Sequence, residues 1–437
     1  MRLETLELCG SKGQPKTGNT EIHRANASMN TDYDTLDAKT QRILRSLDRA
    51  TGDLRRGQGL FLYDSIGRFE SVKTPHIVES SAPGLLVFSL DHADSTQLEA
   101  IMGGENGKGQ LLLTAMRAQR LGLTGPSDQT DVTVTMPPSA SLDWARFVAL
   151  ANWDDRSPPS TAHRTASALA VAALKLTKSA ACLPALLART MTYGEAENLM
   201  PGILPVNAAD AGKLHHLQAV SLKRLGTTPV PLENLGTAQF HVFRSGDGND
   251  DHLAIEIGER PSTLAIPMNQ KSLPLVRLHS ACLTGDIFHS KKCDCGPQLN
   301  AAMTNMAVEG HGILLYLAQE GRNIGLTNKL RAYLLQDSGL DTVDANRALG
   351  YGDDEREYEI AAAMLRAIGC DKVRLMTNNP DKIASLERAG ITVVEQVPLI
   401  VGLSPENINY LKTKANRSGH ILPDTALAAL DDTLRKK

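Results

Sequence analysis

The chain has 437 residues, of which 42% are hydrophobic and 22% charged, and its formal net charge at pH 7 is −3. This length is more than one hydrophobic core usually fills, so we expect two or three domains. A net charge this close to zero excludes a global positive field that would hold nucleic acid or an anionic membrane surface. The longest apolar runs, such as residues 313–318, are too short to span a bilayer. The sequence is therefore typical of a soluble, cytoplasmic protein without nucleic-acid or membrane partners.

The chain divides by its hydrophobic pattern. Residues 1–40 are polar, and their apolar residues do not repeat with the 2-residue period of a strand or the 3.6-residue period of a helix, which predicts a flexible arm. Short apolar runs and helix-like stretches then follow one another over residues 41–229, which predicts an N-terminal accessory α/β domain. The apolar runs lie at 60–63, 85–90 and 111–113, and the helix-like stretches lie before Gly57, at 114–121 and at 161–181.

Strands and helices alternate regularly from about residue 230 to residue 423, and the segment 424–437 is predicted to be a tail. Predicted strands lie at 238–244, 252–257, 275–279, 312–318, 372–377 and 391–395, and predicted helices at 297–309, 326–337, 355–368 and 381–389. This order predicts an α/β (α+β) domain with a mixed sheet flanked by helices, separate from the N-terminal domain.

Six cysteines are too few for a disulfide framework in a chain of this length. Three of them, Cys282, Cys293 and Cys295, are crowded together as Cys-x10-Cys-x-Cys. The last two point the same way on an extended chain, and the preceding loop can return the first as a third ligand, which leaves one position of a zinc ion open for catalysis. The alternatives are a structural zinc site completed by His279 or His289, or three buried thiols.

The segment 319–325, Gln-Glu-Gly-Arg-Asn-Ile-Gly, comes directly after the strand predicted at 312–318. Ligands bind at the carboxyl ends of strands in open α/β sheets. Gly321 allows a close approach of the backbone, and Arg322 can bind phosphate oxygens. Glu320 can accept two hydrogen bonds from a guanine-like base. A tight turn with a surface arginine is the alternative interpretation.

Two further segments lie at the starts of predicted helices. Asp354 and Arg356 precede an amphipathic helix, where acidic residues also simply complement the helix dipole. Thr377 and Lys382 belong to a strand-to-helix connection, where hydroxyl, amide and ammonium groups can hold an anion. A solvated helix cap is the alternative for this second segment.

Together these motifs resemble GTP cyclohydrolase II of riboflavin biosynthesis, over about residues 233–422. The matching stretches are Arg277-x-His-Ser-x-Cys-Leu-Thr-Gly-Asp, Cys293-Asp-Cys-Gly, Gln319-Glu-Gly-Arg-Asn-Ile-Gly, Asp353-Asp-Glu-Arg and Thr377-Asn-Asn-Pro. They occur in the order and at the separations usual in that family. The resemblance implies a homodimer that releases pyrophosphate, and C8 as formate, from GTP to give 2,5-diamino-6-(5-phosphoribosylamino)pyrimidin-4(3H)-one.

The resemblance also implies roles for individual residues. Zinc is expected on Cys282, Cys293 and Cys295, with Mg²⁺ at the triphosphate. Asp354 is expected as proton acceptor and Arg356 as nucleophile, with Tyr333 in support. Because a guanidinium is protonated at any accessible pH, the alternative role of Arg356 is a phosphate clamp that stabilises the leaving pyrophosphate. The residues implied to contact GTP are Arg277, His279, Ser280, Gln298, Glu320, Gly321, Arg322, Thr342, Thr377 and Lys382.

Two departures limit the resemblance. Ala281 stands where the family usually has a glutamate before the first zinc cysteine, so a nucleotide-binding or regulatory protein, or a cyclohydrolase with altered products, is the alternative function.

The stretch Leu54-Arg-Arg-Gly resembles the start of a 3,4-dihydroxy-2-butanone 4-phosphate synthase. That enzyme needs an acidic cluster, and here Asp64 and Glu70 are interrupted by Arg68, so we expect no synthase activity.

Overall fold

The computed structural model describes residues 36–64, 78–103, 109–125, 127–151, 162–248, 250–260 and 272–402. Most of the predicted arm, the predicted tail and Glu70 lie outside these ranges. Within them, the strands form two seven-stranded sheets. We call residues 36–222 the first half and residues 223–402 the second half, because each contains one sheet. The predicted α/β (α+β) class, with two separate helix-flanked sheets, is confirmed.

The first half has the strand order β5-β4-β3-β6-β2-β1-β7, in which only β1 and β7 are parallel among the described pairs. The strands are β1 (Leu60–Tyr63), β2 (Pro83–Ser89), β3 (Gln110–Leu113), β4 (Val132–Thr135), β5 (His163–Thr165), β6 (Ala185–Thr192) and β7 (Leu204–Asn207). The helices are α1 (Ala38–Arg55), α2 (Ser95–Met102), α3 (Ala115–Arg120), α4 (Leu142–Leu150), α5 (Ala168–Ser179), α6 (Tyr193–Leu199) and α7 (Leu214–Val220).

Strands such as β1 and β3 are continuous apolar runs, because both of their faces pack in hydrophobic clusters of the first half. Leu60, Phe61 and Leu62 are all 0% exposed. Phe61 belongs to a hydrophobic cluster on one face, whereas Leu60 and Leu62 pack with α1 and α5 on the other face. Successive residues of β1 therefore contribute to two cores.

The second half has the strand order β14-β13-β11-β12-β10-β9-β8. Its strands are β8 (Lys223–Leu232), β9 (Gly236–Arg244), β10 (His252–Gly258), β11 (Leu275–Ser280), β12 (His311–Leu317), β13 (Lys372–Met376) and β14 (Thr392–Val397). Its helices are α8 (Leu283–Asp286), α9 (Cys295–Glu309), α10 (Gly325–Asp337), α11 (Thr342–Ala348), α12 (Glu359–Ala367) and α13 (Pro380–Arg388). Strands β11 to β14 pair in parallel and β8 to β10 pair antiparallel, so the sheet is mixed.

Three predicted boundaries differ by more than two residues from those of the structure. The second sheet begins at Lys223 rather than near residue 230, because the prolines at 229 and 231 lie in β8, an edge strand that tolerates a missing N–H. The helix predicted at 161–181 begins at Ala168, where Ser167 caps it. The helix predicted at 355–368 begins at Glu359, because side chains of the neighbouring turn bind the preceding carbonyls.

The mixed sheet determines where a site can form. β11 lies between β12 and β13, and all three strands run in the same direction. Their carboxyl ends therefore meet at one edge of the sheet, and the segments that follow them approach one another there. No helix in the described part of the chain is both long and apolar enough to cross a bilayer.

Candidate active site

A cavity of about 1080 Å³, part of it open to solvent, lies at this edge of the second sheet. All but one of the site residues predicted from the sequence line it. These are Arg277, His279, Ser280, Cys282, Cys293, Cys295, Gln298, Glu320, Gly321, Arg322, Tyr333, Thr342, Arg356, Thr377 and Lys382. The remaining residue, Asp354, is hydrogen-bonded to Arg356.

The sulfur atoms of Cys282, Cys293 and Cys295 form a compact group. All three Sγ atoms lie within 4.8 Å of one another, and those of Cys282 and Cys293 are 3.7 Å apart. A Cβ atom at Gly285 would lie 2.8 Å from one sulfur and 2.9 Å from another, so the glycine leaves the space beside them open. Within the described residues this is the one group of His, Cys, Asp or Glu that could hold a metal ion. Three thiolates in this arrangement fit zinc.

Lys329, on α10, lies against the sulfur group and is only 8% exposed. Its Nζ is 3.1 Å from Cys282 Sγ and 2.8 Å from Glu320 Oε1. Hydrogen bonds from Cys293 and Cys295, together with Lys329, hold the pKa of Cys282 well below its usual value. Hydrogen bonding with Cys282 raises the pKa of the other two thiols in turn. The ammonium of Lys329 therefore favours the thiolate form of Cys282, which is the form that binds a metal.

Asp286 anchors the loop of the first cysteine. Its carboxylate accepts hydrogen bonds from His279 Nε2 at 3.1 Å, from the Cys282 backbone N–H at 3.0 Å and from the Tyr316 hydroxyl at 3.0 Å. The rings of His279 and Tyr316 stack, with centroids 5.6 Å apart. Neither His279 nor His289 belongs to the metal-binding group found among the described residues. The alternative of a four-ligand structural site therefore gains no support from these histidines.

Arg277 and Ser280, both on β11, present buried polar atoms to the cavity. Arg277 donates to the Met376 carbonyl at 3.0 Å and to Gln298 Oε1 at 2.5 Å. Its Nε and the Ser280 Oγ are buried and have no hydrogen-bond partner within the described residues. Because buried polar atoms are nearly always hydrogen-bonded, these two atoms are suited to a polar ligand.

Glu320, which is predicted to contact the base, also has partners within the protein. One carboxylate oxygen accepts from Lys329 Nζ and from the Gly321 backbone N–H, at 2.8 and 3.0 Å. The other accepts from the backbone N–H of Leu283 at 2.7 Å. Both oxygens therefore have protein donors, and a guanine-like pair of N–H groups would have to share them. In the structure, Glu320 connects the turn after β12 to the loop of the first cysteine.

The turn after β12 is held in an uncommon conformation. The φ angles of Arg322 and Asn323 are +62° and +71°, although neither residue is glycine. Arg322 donates to the Asp353 carbonyl, and Asn323 donates to the Glu355 carbonyl, both at 3.0 Å. These bonds fix the turn against the loop 349–358, which contains the predicted proton acceptor and nucleophile.

Asp354 and Arg356 form a two-point pair. The Nε of Arg356 donates to Asp354 Oδ1 at 2.8 Å, and its Nη2 contacts Oδ2. Burial alone would raise the pKa of Asp354, but the hydrogen bonds and charge of Arg356 outweigh it and lower the pKa below its usual value. The carboxylate is therefore ionised at neutral pH and lies beside the guanidinium.

Thr377 and Lys382 follow β13 and are 2% and 7% exposed. The Thr377 hydroxyl accepts from the backbone N–H of Asn379 at 3.0 Å. The Nζ of Lys382 donates to the Leu278 carbonyl at 2.9 Å. Both side chains thus have fixed positions at the edge where the parallel strands end.

Tyr333 and Thr342 complete the cavity from α10 and α11. The Nζ atoms of Lys292 and Lys329 lie 5.1 and 5.9 Å from the centroid of the Tyr333 ring. Burial raises the pKa of Tyr333 to about 12, so its hydroxyl is a neutral donor at physiological pH. Thr342 is the first residue of α11.

Sequence reasoning missed Lys329, Asn378 and Asn379, all of which line the cavity. Lys329 lies four residues before Tyr333, and this spacing places two side chains on one helix face. That signal was available in the sequence. Asn378 donates to the Leu399 carbonyl at 2.6 Å, and Asn379 caps α13. These two contacts depend on tertiary structure.

Residues 223–398 match the sequence profile of GTP cyclohydrolase II. A GTP cyclohydrolase-2 from Azospirillum brasilense is 39% identical over 386 residues, which cover 86% of this chain and 94% of that protein. The chain belongs to the GTP cyclohydrolase II family. A GTP cyclohydrolase-2 from Salmonella typhimurium is 49% identical over 205 residues, which cover 46% of this chain and 99% of the Salmonella protein. The cyclohydrolase II family therefore includes proteins with and without a first half, and the predicted enzyme class is confirmed.

One similar solved structure is the crystal structure of a two-domain 3,4-dihydroxy-2-butanone 4-phosphate synthase from A. baumannii. The match covers 81% of this chain and 99% of the synthase chain. Its sequence identity to this chain is 15% and its TM-score is 0.28.

Proposed function

We propose that this chain hydrolyses GTP to 2,5-diamino-6-(5-phosphoribosylamino)pyrimidin-4(3H)-one, formate and pyrophosphate, a step of riboflavin biosynthesis. The observation that carries the proposal is the three-cysteine group in one cavity with arginine and lysine side chains. A ring-opening hydrolysis coupled to pyrophosphate release needs both a metal site and a triphosphate site. The relatives named GTP cyclohydrolase-2 support the same substrate.

One zinc ion per chain would be held by Cys282, Cys293 and Cys295. Zinc bound there would supply Lewis-acid activation for the hydrolytic opening of the purine ring at C8. The ammonium of Lys329 lies beside one ligand sulfur and offsets part of the negative charge of three thiolates. Asp286 holds the loop of that cysteine through its backbone N–H, so the ligand keeps its position during turnover.

Three cationic side chains would bind the triphosphate, and Mg²⁺ would neutralise part of its charge. They are Arg277, Arg322 and Lys382, all of which line the cavity. Their charges would orient the nucleotide and stabilise the leaving pyrophosphate. The further proposed contacts with GTP are His279, Ser280, Gln298, Glu320, Gly321, Thr342 and Thr377.

Arg356 is proposed to attack the α-phosphorus of GTP. A P–N bond forms as the bond to pyrophosphate breaks, and the proton lost by the guanidinium passes to Asp354. A guanidinium is protonated at any accessible pH, so this attack requires an acceptor in contact with it. The two-point pair with Asp354 supplies that acceptor. The neutral hydroxyl of Tyr333 would support the reaction as a hydrogen-bond donor.

A second candidate function follows from Ala281, which stands where the family usually has glutamate. Loss of that carboxylate would give a cyclohydrolase with altered products, or a nucleotide-binding regulatory protein. The products distinguish the candidates. We expect the full chain, given GTP with Zn²⁺ and Mg²⁺, to release formate, pyrophosphate and the pyrimidine in equal amounts, as measured by mass spectrometry. Pyrophosphate without formate would indicate a variant enzyme, and binding without products would indicate a regulatory protein.

We further propose a boundary between the two domains near residue 222, just before β8, rather than near residue 230. Residues 41–222 would then be the N-terminal domain, and the cyclohydrolase domain would extend to about residue 423. We propose a cytoplasmic homodimer, whose mass can be measured by sedimentation equilibrium. A monomer at micromolar concentration would contradict this assignment.

A further inference from the structure

We propose that the first half is a structural part of the cyclohydrolase site, because it fixes the helix and the loop that contain Tyr333 and Arg356. This inference rests on the proposed function for its kinetic consequence, although its structural part can be tested without turnover. Residues 41–229 were expected from the sequence to be merely accessory. Three sets of contacts between the halves indicate that the first half positions this helix and this loop.

The first set involves α10, which has one face on the cavity and another on the first half. Lys329 and Tyr333 line the cavity. Asn328 donates to a main-chain carbonyl of the first half at 2.9 Å, and Arg331 pairs with Asp91 of the first half at 2.6 Å. Asn328 is 0% exposed, so its bond across the boundary is fully shielded from water. The helix is thus positioned from the side opposite to the ligand.

The second set fixes the start of the loop that contains Asp354 and Arg356. The hydroxyl of Tyr351 donates to the Cys182 carbonyl of the first half at 2.6 Å. The same hydroxyl accepts from Asn328 Nδ2 at 3.1 Å. Tyr351 is 0% exposed and belongs to a hydrophobic cluster made mainly of first-half residues. The loop and α10 are therefore joined to each other and to the first half at one buried point.

The third set is made by Arg117, a first-half residue that is 1% exposed. Its guanidinium donates to the carbonyls of Val148 and Ala151 at the end of α4, at 2.8 to 3.0 Å. It also donates to the Ala348 carbonyl at the end of α11, at 2.8 Å. One positive charge thus caps the carboxyl ends of two helices from different halves. Thr342, at the other end of α11, lines the cavity.

Glycines allow the two halves to approach this closely. A Cβ atom at Gly350 would lie 2.8 Å from the Thr114 hydroxyl, which donates to the Gly350 carbonyl at 2.7 Å. A Cβ atom at Gly325 would lie 2.9 Å from the Cβ of Ala181. Both glycines have positive φ angles, so a side chain would be unfavourable there for two reasons. The backbones of the two halves therefore approach closely at both of these glycines.

The test uses the full chain and two variants of the boundary. Tyr351→Phe removes one hydroxyl and keeps the ring, and Arg117→Met removes the shared cap. Thr177→Val is the matched control, because this 0% exposed hydroxyl bonds only within the first half, to Ala173 of α5. We expect amides 349–358 to exchange hydrogen about tenfold faster in both boundary variants, with zinc content unchanged. We expect kcat for formate release to fall about tenfold while the KM for GTP changes less than about twofold.

The control is expected to match the wild type in exchange at 349–358 and in kcat. Unchanged exchange in Tyr351→Phe would overturn the proposal, even if Arg117→Met fails to fold. Faster exchange throughout the chain, rather than at 349–358, would overturn it as well, because it would show a loss of general stability. If wild-type protein releases no formate, the proposed function fails while the exchange measurement still decides the positioning role.

Discussion

The two halves each contain a seven-stranded sheet, but only the second concentrates its chemistry at one sheet edge. In the second half, three neighbouring parallel strands end together, and the cavity lies where they end. In the first half, β1 and β7 are the one parallel pair among the described strands. Its buried polar side chains, such as Thr114 and Arg117, bond to carbonyls of the second half instead. The parallel direction of these three strands therefore explains why the cavity with the three-cysteine group lies in the second half.

The largest loss of turnover is expected for a substitution of Arg356 in the second half. Arg356→Lys keeps the positive charge but loses the two-point pair with Asp354, so formate release should fall about 10³-fold. With zinc removed by a chelator, wild-type protein incubated with GTP should show a guanylyl adduct in intact-mass analysis, and the variant should not. Continued pyrophosphate release without any adduct in the wild type would contradict nucleophilic attack.

A smaller effect is expected at Lys329, which connects the sulfur group to α10. Lys329→Met removes the ammonium 3.1 Å from Cys282 Sγ, so zinc affinity should fall about 10- to 100-fold in competition with a chelator. Lys329→Arg keeps the charge and serves as the matched control, with a smaller loss expected. Equal zinc affinity in Lys329→Met and the wild type would show that this lysine has no role at the metal site.

Lys329 also shows what the sequence could and could not provide. Its spacing from Tyr333 predicts a shared helix face, and the order of the motifs predicts which strand ends converge. The pairing of Lys329 with both Glu320 and Cys282 was not predictable, because it depends on the packing of α10 against the loop after β11. For the same reason, the protein donors to both Glu320 oxygens were not predictable, and the proposed contact of Glu320 with GTP would share these oxygens with them.

Secondary structure was predictable where the apolar periodicity was strong. It was not predictable where tertiary contacts determine whether a segment forms a strand or a helix. The six strands and four helices predicted between residues 238 and 395 all occur in the predicted order, with boundaries mostly within one or two residues. The short helices α8 and α11 were not predicted. β8 was missed because its prolines argue against a strand, although an edge position accommodates them. The contacts that join the halves could not be predicted from the sequence. Arg117 and Tyr351 bind main-chain carbonyls, which every residue has, so no side-chain type indicates the partner.

A still smaller effect, on stability alone, is expected at Glu256, which is not among the residues lining the cavity. Burial alone would raise the pKa of Glu256, but hydrogen bonds from His241, His311 and Arg260 outweigh it and lower the pKa. A lowered folded-state pKa means that this carboxylate stabilises the fold above its unfolded pKa. The contribution is lost as the pH falls.

Glu256→Gln should therefore reduce the free energy of unfolding at pH 7 by about 1–3 kcal/mol, and by less at pH 4. Denaturant unfolding at the two pH values measures both quantities, and the exposed neighbour Glu259→Gln is the control. The kcat for formate release should stay at the wild-type value. A change in kcat without a change in stability would show that the sheet behind the site takes part in the chemistry.

The pair Cys293→Ser and Cys370→Ser tests whether the reaction occurs at the three-cysteine group of the second half. Both cysteines are buried in the second half, but only Cys293 belongs to the sulfur group. Zinc per chain and formate release from GTP are measured on the same samples. We predict that Cys293→Ser loses zinc and formate release together, while Cys370→Ser keeps one zinc per chain and full turnover. Stoichiometric zinc and normal turnover in Cys293→Ser would contradict the account.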